Sequence, residues 1–500
     1  MHLVFLNQYY PPDVAPTGVM LEGVVTELAK EGHKVTVLCA SGGYARSKRG
    51  DDGGESKEQP MYGAQASQST ANGQQPTVIR IGATQFGRGS FVGKLLDYAS
   101  YYFGVAWKLL WLRPRPDRIV ALTTPPYLSV LARALSRLRG GDHAHWVMDL
   151  YPDVMAAHGM LGERHPLHRV LAVLARWGFG GRRIAAVVTL GPDMADRVAR
   201  RVGGASAVSW VPLWGLAEET GEASAETVAE LRRARGWSDT DLVVMYSGNM
   251  GLGHGFDEIL EVAGDVGEER EKGALVPGSS FTEAHAVRDD DPCALVKEGH
   301  LSSRSEPQVP QDNQEPTTKN ESTSSFPPFR FVFFGSGKRK AEVEAYARAH
   351  PAAGIEIHGY VPMEILGAHL RSADVHLASL KPEWTGTMVP SKLQGIFAAG
   401  RPVVFLGDKR SSIGRWVAES GAGWVVAPGD VAGLRACLAE ARDPGERARR
   451  GGAARAYALE QFNRRINTDK LAGLFGVASG QADRGHERHG VSRRIPMNRK

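Results

Sequence analysis

Short apolar runs, each followed by a polar loop and then by a stretch of helical spacing, recur in two series along this chain, at 3–6, 34–40, 77–81, 117–122, 145–150, 185–190 and 208–211, then at 242–247, 331–334, 355–358, 375–380 and 403–406. Strands that alternate with helices must be joined by crossovers, so they pair in parallel, with helices covering both faces of the sheet. Several of the loops carry glycines, and in such sheets ligands sit beyond the carboxyl ends of the strands. The expected fold class is therefore α/β, with two Rossmann-like domains facing a central cleft. At 500 residues, with 42% hydrophobic and 23% charged, the chain has the size and composition of a multidomain globular protein.

The first series predicts a domain over 1–212, a connector over 213–241 with one helix at 227–235, and a second domain over 242–445. A helical segment to 478 and a loose basic tail over 479–500 complete the layout. Two polar stretches, 42–76 and 267–328, hold too few large apolar residues to bury themselves and read as flexible insertions. Asp289, Asp290 and Asp291 lie in the second and read as a solvated charge cluster. Cys39, Cys293 and Cys437 are far apart and odd in number, so neither a disulfide framework nor a zinc site is expected, and no other cofactor is called for. The first strand lacks a basic region before a long apolar run, which argues against a signal peptide, and no stretch reaches the ~18 apolar residues of a spanning helix. A cytoplasmic protein is expected, with no nucleic-acid partner.

The segment 377–405 is the unit around which the chemistry is expected. A strand enters a polar loop at 381–390, a helix opens at Ser391 and Lys392, and Gly400-Arg-Pro ends it before the next strand. A helix start offers unpaired amide donors, and Lys392 adds an ammonium, so the pair suits a phosphate; simple capping by Ser391 is the plainer reading. Gly18 closes the loop 7–18 ahead of the first helix and permits either close ligand approach or only a turn. Glycine-bearing loops at 248–255 and 335–337 follow two further strands, with Lys338 next to the second. Asp149, at the expected end of a strand, can accept a hydroxyl or cap the helix that follows. Over 91–111, Leu95, Tyr98, Tyr102, Val105 and Leu109 recur at helical spacing, flanked by Lys94, Lys108, Arg113 and Arg115. That profile fits a core-facing helix or one lying against an anionic membrane surface.

The stretches NQYYPPDVAPTG, WVMDLYPD, YSGNMGLGHGFDEIL, GYVP and VPSKLQGIFAAGRPVVF together resemble the retaining nucleotide-sugar glycosyltransferases of family 4 with the GT-B fold, in particular a bacterial surface-polysaccharide branch that includes O-antigen fucosaminyltransferases. The resemblance implies a hexosyl- or N-acetylhexosaminyl-transferase that uses a nucleotide-sugar donor, a UDP-sugar by preference, and a polyprenyl-diphosphate-linked acceptor at the inner membrane face. It implies Gly18 at the donor diphosphate and Asp149 where many members place a sugar-contacting histidine. Two glutamates separated by seven residues in the family pattern stand here as Thr387 and Gly395, and Glu383 lies four residues before the first. The family's Arg and Lys after the GN-like turn stand as Asn249 and His254. The resulting expected donor-binding set is Gly18, Asn249, Gly251, His254, Lys338, Glu383, Thr387, Ser391 and Lys392, with Asp149 and Lys392 as the catalytic pair. Two other readings stay open: a sugar-nucleotide 2-epimerase, which needs no acceptor, and a non-catalytic nucleotide-sugar-binding subunit, for which the missing glutamates argue.

Overall fold

The computed structural model describes residues 1–13, 15–41, 75–82, 84, 86, 91–203, 208–215, 223–274 and 329–476. Seven parallel strands form the first sheet: β1 (His2–Leu6), β2 (Lys34–Ser41), β3 (Thr77–Gly82), β4 (Arg118–Ala121), β5 (Asp142–Val147), β6 (Ile184–Thr189) and β7 (Val208–Trp210), in the order β3-β2-β1-β4-β5-β6-β7. The order reverses at β1, which pairs with both β2 and β4 (Leu6 opposite Leu38 and Ala121), so the loop after β1 opens at a topological switch point. Every residue of β1 and β4 is buried, as expected of strands covered on both faces.

Six parallel strands form the second sheet: β8 (Leu242–Ser247), β9 (Phe329–Phe334), β10 (Glu356–His358), β11 (Val375–Ser379), β12 (Val403–Leu406) and β13 (Gly423–Val426), in the order β10-β9-β8-β11-β12-β13. The fold class expected from the alternation of elements is the one observed. Strand β13, only four residues long, and the short helix Ser412–Ser420, interrupted by Arg415 and Glu419, are absent from that expectation. The stretch expected to be loose from 267 begins instead as the last turns of the helix Asp257–Ala274. There the Lys272–Glu268 pair and a bond from Arg270 to the Phe329 carbonyl (2.7 Å) make up for the lack of apolar residues. The rest of the two expected insertions, 42–74 and 275–328, with the Asp289–291 run and the tail from 477, lies outside the described residues.

The C-terminal segment joins the two halves. Helix Pro444–Gln461 packs on helix Lys392–Ala398 of the second domain, and a separate helix, Arg464–Gly476, within the helical segment expected to 478, packs against helix Pro16–Lys30 of the first. Its Leu471, Ala472 and Phe475 are fully buried, Phe475 meets Phe5 and Trp146 edgewise or tilted, and buried Arg118 donates to the Phe475 carbonyl (2.5 Å). The last helix is thus a part of the first domain's core. Helix Phe91–Trp111 lies on the opposite face of the first sheet. Tyr101, Val105 and Leu109 are buried, Tyr98 and Tyr102 are half-buried, and Leu95 is exposed, so most of the positions picked out by spacing mark the core-facing side.

Candidate active site in the cleft

Two glycine turns at the carboxyl ends of β8 and β9 form the floor. Gly248, Gly335 and Gly337 have φ of +136°, +126° and +142°, which side-chain-bearing residues rarely adopt. The turns are stacked on each other: Gly248 N–H donates to the Phe334 carbonyl (2.9 Å) and Met250 N–H to the Ser336 carbonyl (2.8 Å). A Cβ on Gly335 would stand 2.1 Å from the Gly248 carbonyl oxygen, and one on Gly337 2.6 Å from both Asn249 Oδ1 and the Met250 carbonyl oxygen. Asn249 therefore packs against the second turn, and Gly251 accepts the His254 amide (3.1 Å), closing the loop from which His254 turns inward.

Lys392 reaches over this floor from the first turn of helix Lys392–Ala398. Its Nζ donates to the Tyr246 hydroxyl, sits 4.0 Å from the Tyr246 ring centroid, and lies 3.5 Å from the Asn249 carbonyl and 3.4 Å from His254 Nε2. Among the described residues no carboxylate neutralises it there, and burial lowers its pKa to about 7. His254 Nδ1 lies 2.6 Å from the Ser379 carbonyl, which can only accept, so that nitrogen carries the proton and Nε2 turns its lone pair to the lysine. Burial, with the adjacent Lys392, pushes His254 down to about 3, so the imidazole is neutral at physiological pH. An incoming diphosphate would supply the charge that Lys392 lacks.

Across the cleft, β5 ends at Val147, and Asp149 lies two residues beyond it. Burial alone raises its carboxyl to about 6. It lines a small pocket with Thr123, Tyr127, His145, Tyr151 and Phe179. Two buried polar atoms of that lining, the Tyr127 hydroxyl and His145 Nδ1, have no hydrogen-bond partner, and Tyr127 holds a positive φ of 68°. An unmet phenol hydroxyl, an unmet imidazole acceptor and a strained backbone in one place mark a site shaped for a polar ligand. The Asp149 end of the first domain is tied to the loop that leads to Lys392: Leu150 N–H donates to the Thr387 carbonyl (2.8 Å), and Asp149 bridges Met388.

Three expected donor residues have other duties. Thr387 is fully buried, and its hydroxyl donates to the Trp384 carbonyl (2.7 Å), so it shapes the loop rather than facing a donor sugar. Ser391 makes no capping bond; its backbone is already near-helical (φ −80°, ψ 0°), not the extended form a capping side chain needs. Gly18 is buried inside the first turn of helix Pro16–Lys30, where a Cβ would stand 3.0 Å from the Tyr9 carbonyl oxygen, so packing accounts for its glycine. Glu383 lies exposed on the turn Pro382–Trp384, and Lys338 is exposed beyond Gly337.

Other residues at the cleft escaped sequence reasoning. His158, of the first domain, meets Trp384 of the second edge-on (4.5 Å between ring centroids), and burial together with Lys338 lowers its pKa. Buried Arg339 donates to the His254 carbonyl and pairs with Glu342, fixing the loop that presents His254. Arg197 bonds the Thr385 carbonyl (3.2 Å) while paired to Asp153 (2.8 Å). Asp193 takes the amide (3.0 Å) and hydroxyl of Ser412. Apart from Arg339, each joins two domains, a relation that no local spacing displays. Among the described residues no three His, Cys, Asp or Glu side chains gather as a metal-ligand group.

Comparison with known proteins bears on the fold and the family. A glycosyl transferase 4-like domain matches residues 17–214, and a glycosyl transferases group 1 domain matches residues 316–442. An Escherichia coli (strain K12) protein named as a colanic acid biosynthesis glycosyl transferase, WcaI, is 21% identical over 416 residues, which is 83% of this chain and 85% of that one. Among solved structures, WaaG, a glycosyltransferase involved in lipopolysaccharide biosynthesis, superposes with a TM-score of 0.59 at 14% identity, covering 95% of this chain and all (100%) of its own. Anabaena HepE in complex with UDP-glucose superposes with a TM-score of 0.59 at 12% identity, covering 95% and 99%. The chain is a glycosyltransferase of the GT-B fold, with its 4-like domain in the first half and its group 1 domain in the second.

Proposed function

We propose that the protein transfers a hexosyl or N-acetylhexosaminyl group from a UDP-sugar to a lipid-linked saccharide, with retention of configuration, in the synthesis of a cell-surface polysaccharide. The observation that carries this reading is Lys392 held without a carboxylate above two glycine turns, opposite a pocket that contains Asp149. The names of the relatives support the pathway, and the UDP-glucose bound by HepE supports the donor class.

As the bond from sugar to diphosphate breaks, negative charge grows on the leaving oxygen. The glycine turns let the diphosphate approach the backbone, and Lys392 meets the developing charge, so both hold the transition state better than the ground state. With retention, the acceptor attacks from the leaving-group face and its proton passes to a diphosphate oxygen. Asp149 then orients a sugar or acceptor hydroxyl as a hydrogen-bond acceptor. No metal or other cofactor takes part in this scheme. A lipid-linked acceptor would bring the enzyme to the inner membrane face.

Asp149 gives the scheme a pH signature. Its carboxylate is present only above about pH 6, so kcat/KM should fall as pH drops through about 6, and Asp149→Asn should be slow with that acid limb flattened. The same raised pKa means that the folded protein holds this proton more tightly than the unfolded chain. Stability from this group is therefore full at low pH and lost as pH rises through about 6, and Asp149→Asn should raise the urea midpoint at pH 8 but not near pH 4. A unchanged acid limb in the variant would remove Asp149 from the chemistry.

The direct test is an NMR time course of the purified protein with UDP-, GDP- and dTDP-sugars, with and without lipid extract. Release of UDP that accelerates with lipid, and an anomeric signal of unchanged configuration in the product, are expected. Inversion at C2 of a donor without lipid would make the protein an epimerase, and binding without turnover would make it a nucleotide-sugar-binding subunit.

A further inference from the structure

We propose that helices Phe91–Trp111 and Pro166–Gly178 together form one docking face for an anionic lipid bilayer. The proposal deepens the lipid-acceptor reading above by naming the surface, but binding to vesicles requires neither a donor nor turnover.

Helix Phe91–Trp111 is apolar on both sides. Beyond the side packed on the sheet, Phe103, Trp107 and Trp111 follow at four-residue intervals and form a ladder of rings, with centroids 6.3 and 6.0 Å apart. They are 71%, 58% and 67% exposed, and Val92, Leu95 and Leu96 continue the surface toward the helix start. The helix is about 31 Å long at 1.5 Å per residue, so the face runs most of a domain's width.

Helix Pro166–Gly178 repeats the arrangement. His168, Ala175 and Gly178 face inward, while Leu167, Val170, Val173 and Leu174 are exposed, Val170 and Val173 by 62% and 68%. At 100° per residue these four occupy one arc of roughly 120°, bordered on one side by Arg169 and Arg176. Helix Leu128–Arg139 touches both helices and presents its own exposed Leu138 and Arg137. Three adjacent helices of one domain thus leave apolar side chains in water, where a lone globular domain leaves only scattered ones.

The charges decide the occupant. Lys94, Lys108, Arg113 and Arg115 are exposed around the first helix, and Arg169 and Arg176 beside the second. The sole acid in the first helix, Asp97, accepts the Phe86 amide (2.9 Å), and the second helix contains none. Indole and phenyl rings bordered by cations match the headgroup region of an anionic leaflet, whereas a second copy of the same face would set cation against cation. No described helix is long and apolar enough to cross a membrane, which leaves this contact peripheral.

Co-sedimentation of the full chain with phosphatidylglycerol and with phosphatidylcholine vesicles tests the proposal. Binding to the anionic vesicles should exceed binding to the neutral ones by at least ~10-fold and weaken with salt. Two apolar variants, Phe103→Ser with Trp107→Ser and Trp111→Ser, and Val170→Ser with Val173→Ser and Leu174→Ser, should each reduce anionic binding about 10-fold. Arg169→Glu with Arg176→Glu should do so while leaving the weak neutral binding unchanged. Circular dichroism confirms that each variant is folded. Full binding by the Pro166–Gly178 variants would overturn the two-helix face, and a chain that stays in solution would overturn the proposal outright. So would light scattering that shows a dimer lost in these variants.

Discussion

Replacing Lys392 by alanine is expected to lower kcat about 10²- to 10³-fold, the scale found when a donor aimed at a developing oxyanion is removed. The loss should fall mainly on kcat, because the charge it meets is greatest in the transition state. Lys392→Arg should not restore turnover. The ammonium is placed over the Tyr246 ring and against Gly248, where a Cβ would already lie 3.2 Å from the lysine Cε, so a wider planar guanidinium does not fit. Steady-state release of nucleoside diphosphate measures both variants, and a kcat for Lys392→Ala within about threefold of the parent would place the leaving group elsewhere. Since His254 is neutral and accepts from Lys392, His254→Phe should shift the pH at which donor affinity changes without abolishing turnover.

Gly335→Ala should be among the most damaging single methyls at the described glycines. It combines a φ of +126° with a Cβ 2.1 Å from the Gly248 carbonyl oxygen, and the obstacle is backbone, which no rotamer can move. The expected loss is about 3 kcal/mol or more of unfolding free energy, together with donor binding, because both glycine turns must separate to admit the methyl. Gly359→Ala, where nothing lies within 4 Å of the added carbon, is the control and should change stability by no more than about 0.5 kcal/mol. Denaturant titration of the two proteins side by side, followed by UDP titration, makes the comparison. Equal midpoints would mean that the turns can part freely, against the stacking described above.

The fold was legible because its strands are buried on both faces, so they stand out as continuous apolar runs such as Leu242–Ser247, and because glycines punctuate their carboxyl ends. Lys392 was legible for a related reason: it follows directly from a strand, a loop and a helix start. What stayed hidden depends on contacts between distant segments. Thr387 lies in a loop and offers a hydroxyl, yet whether that hydroxyl faces a ligand or Trp384 is settled by how the loop folds back on itself. His158, Asp193 and Arg197 take their meaning from partners about two hundred residues away. The outward rings of Phe91–Trp111 were hidden differently: the spacing of Tyr98, Tyr102, Val105 and Leu109 marks the core-facing side, and Phe103, Trp107 and Trp111 form a second apolar row that the same spacing does not distinguish from core.

The return of the last helix to the first sheet has a consequence for biosynthesis. Phe5 and Trp146 leave the ribosome early, but Phe475, which covers them, is made only after the whole second domain. At ~5–20 residues per second, the nascent first domain spends on the order of tens of seconds with that side of its sheet unroofed. The chain therefore cannot complete its domains in the order in which they are translated, and the interval is one in which a chaperone, or a neighbouring nascent chain, can reach the same apolar groove.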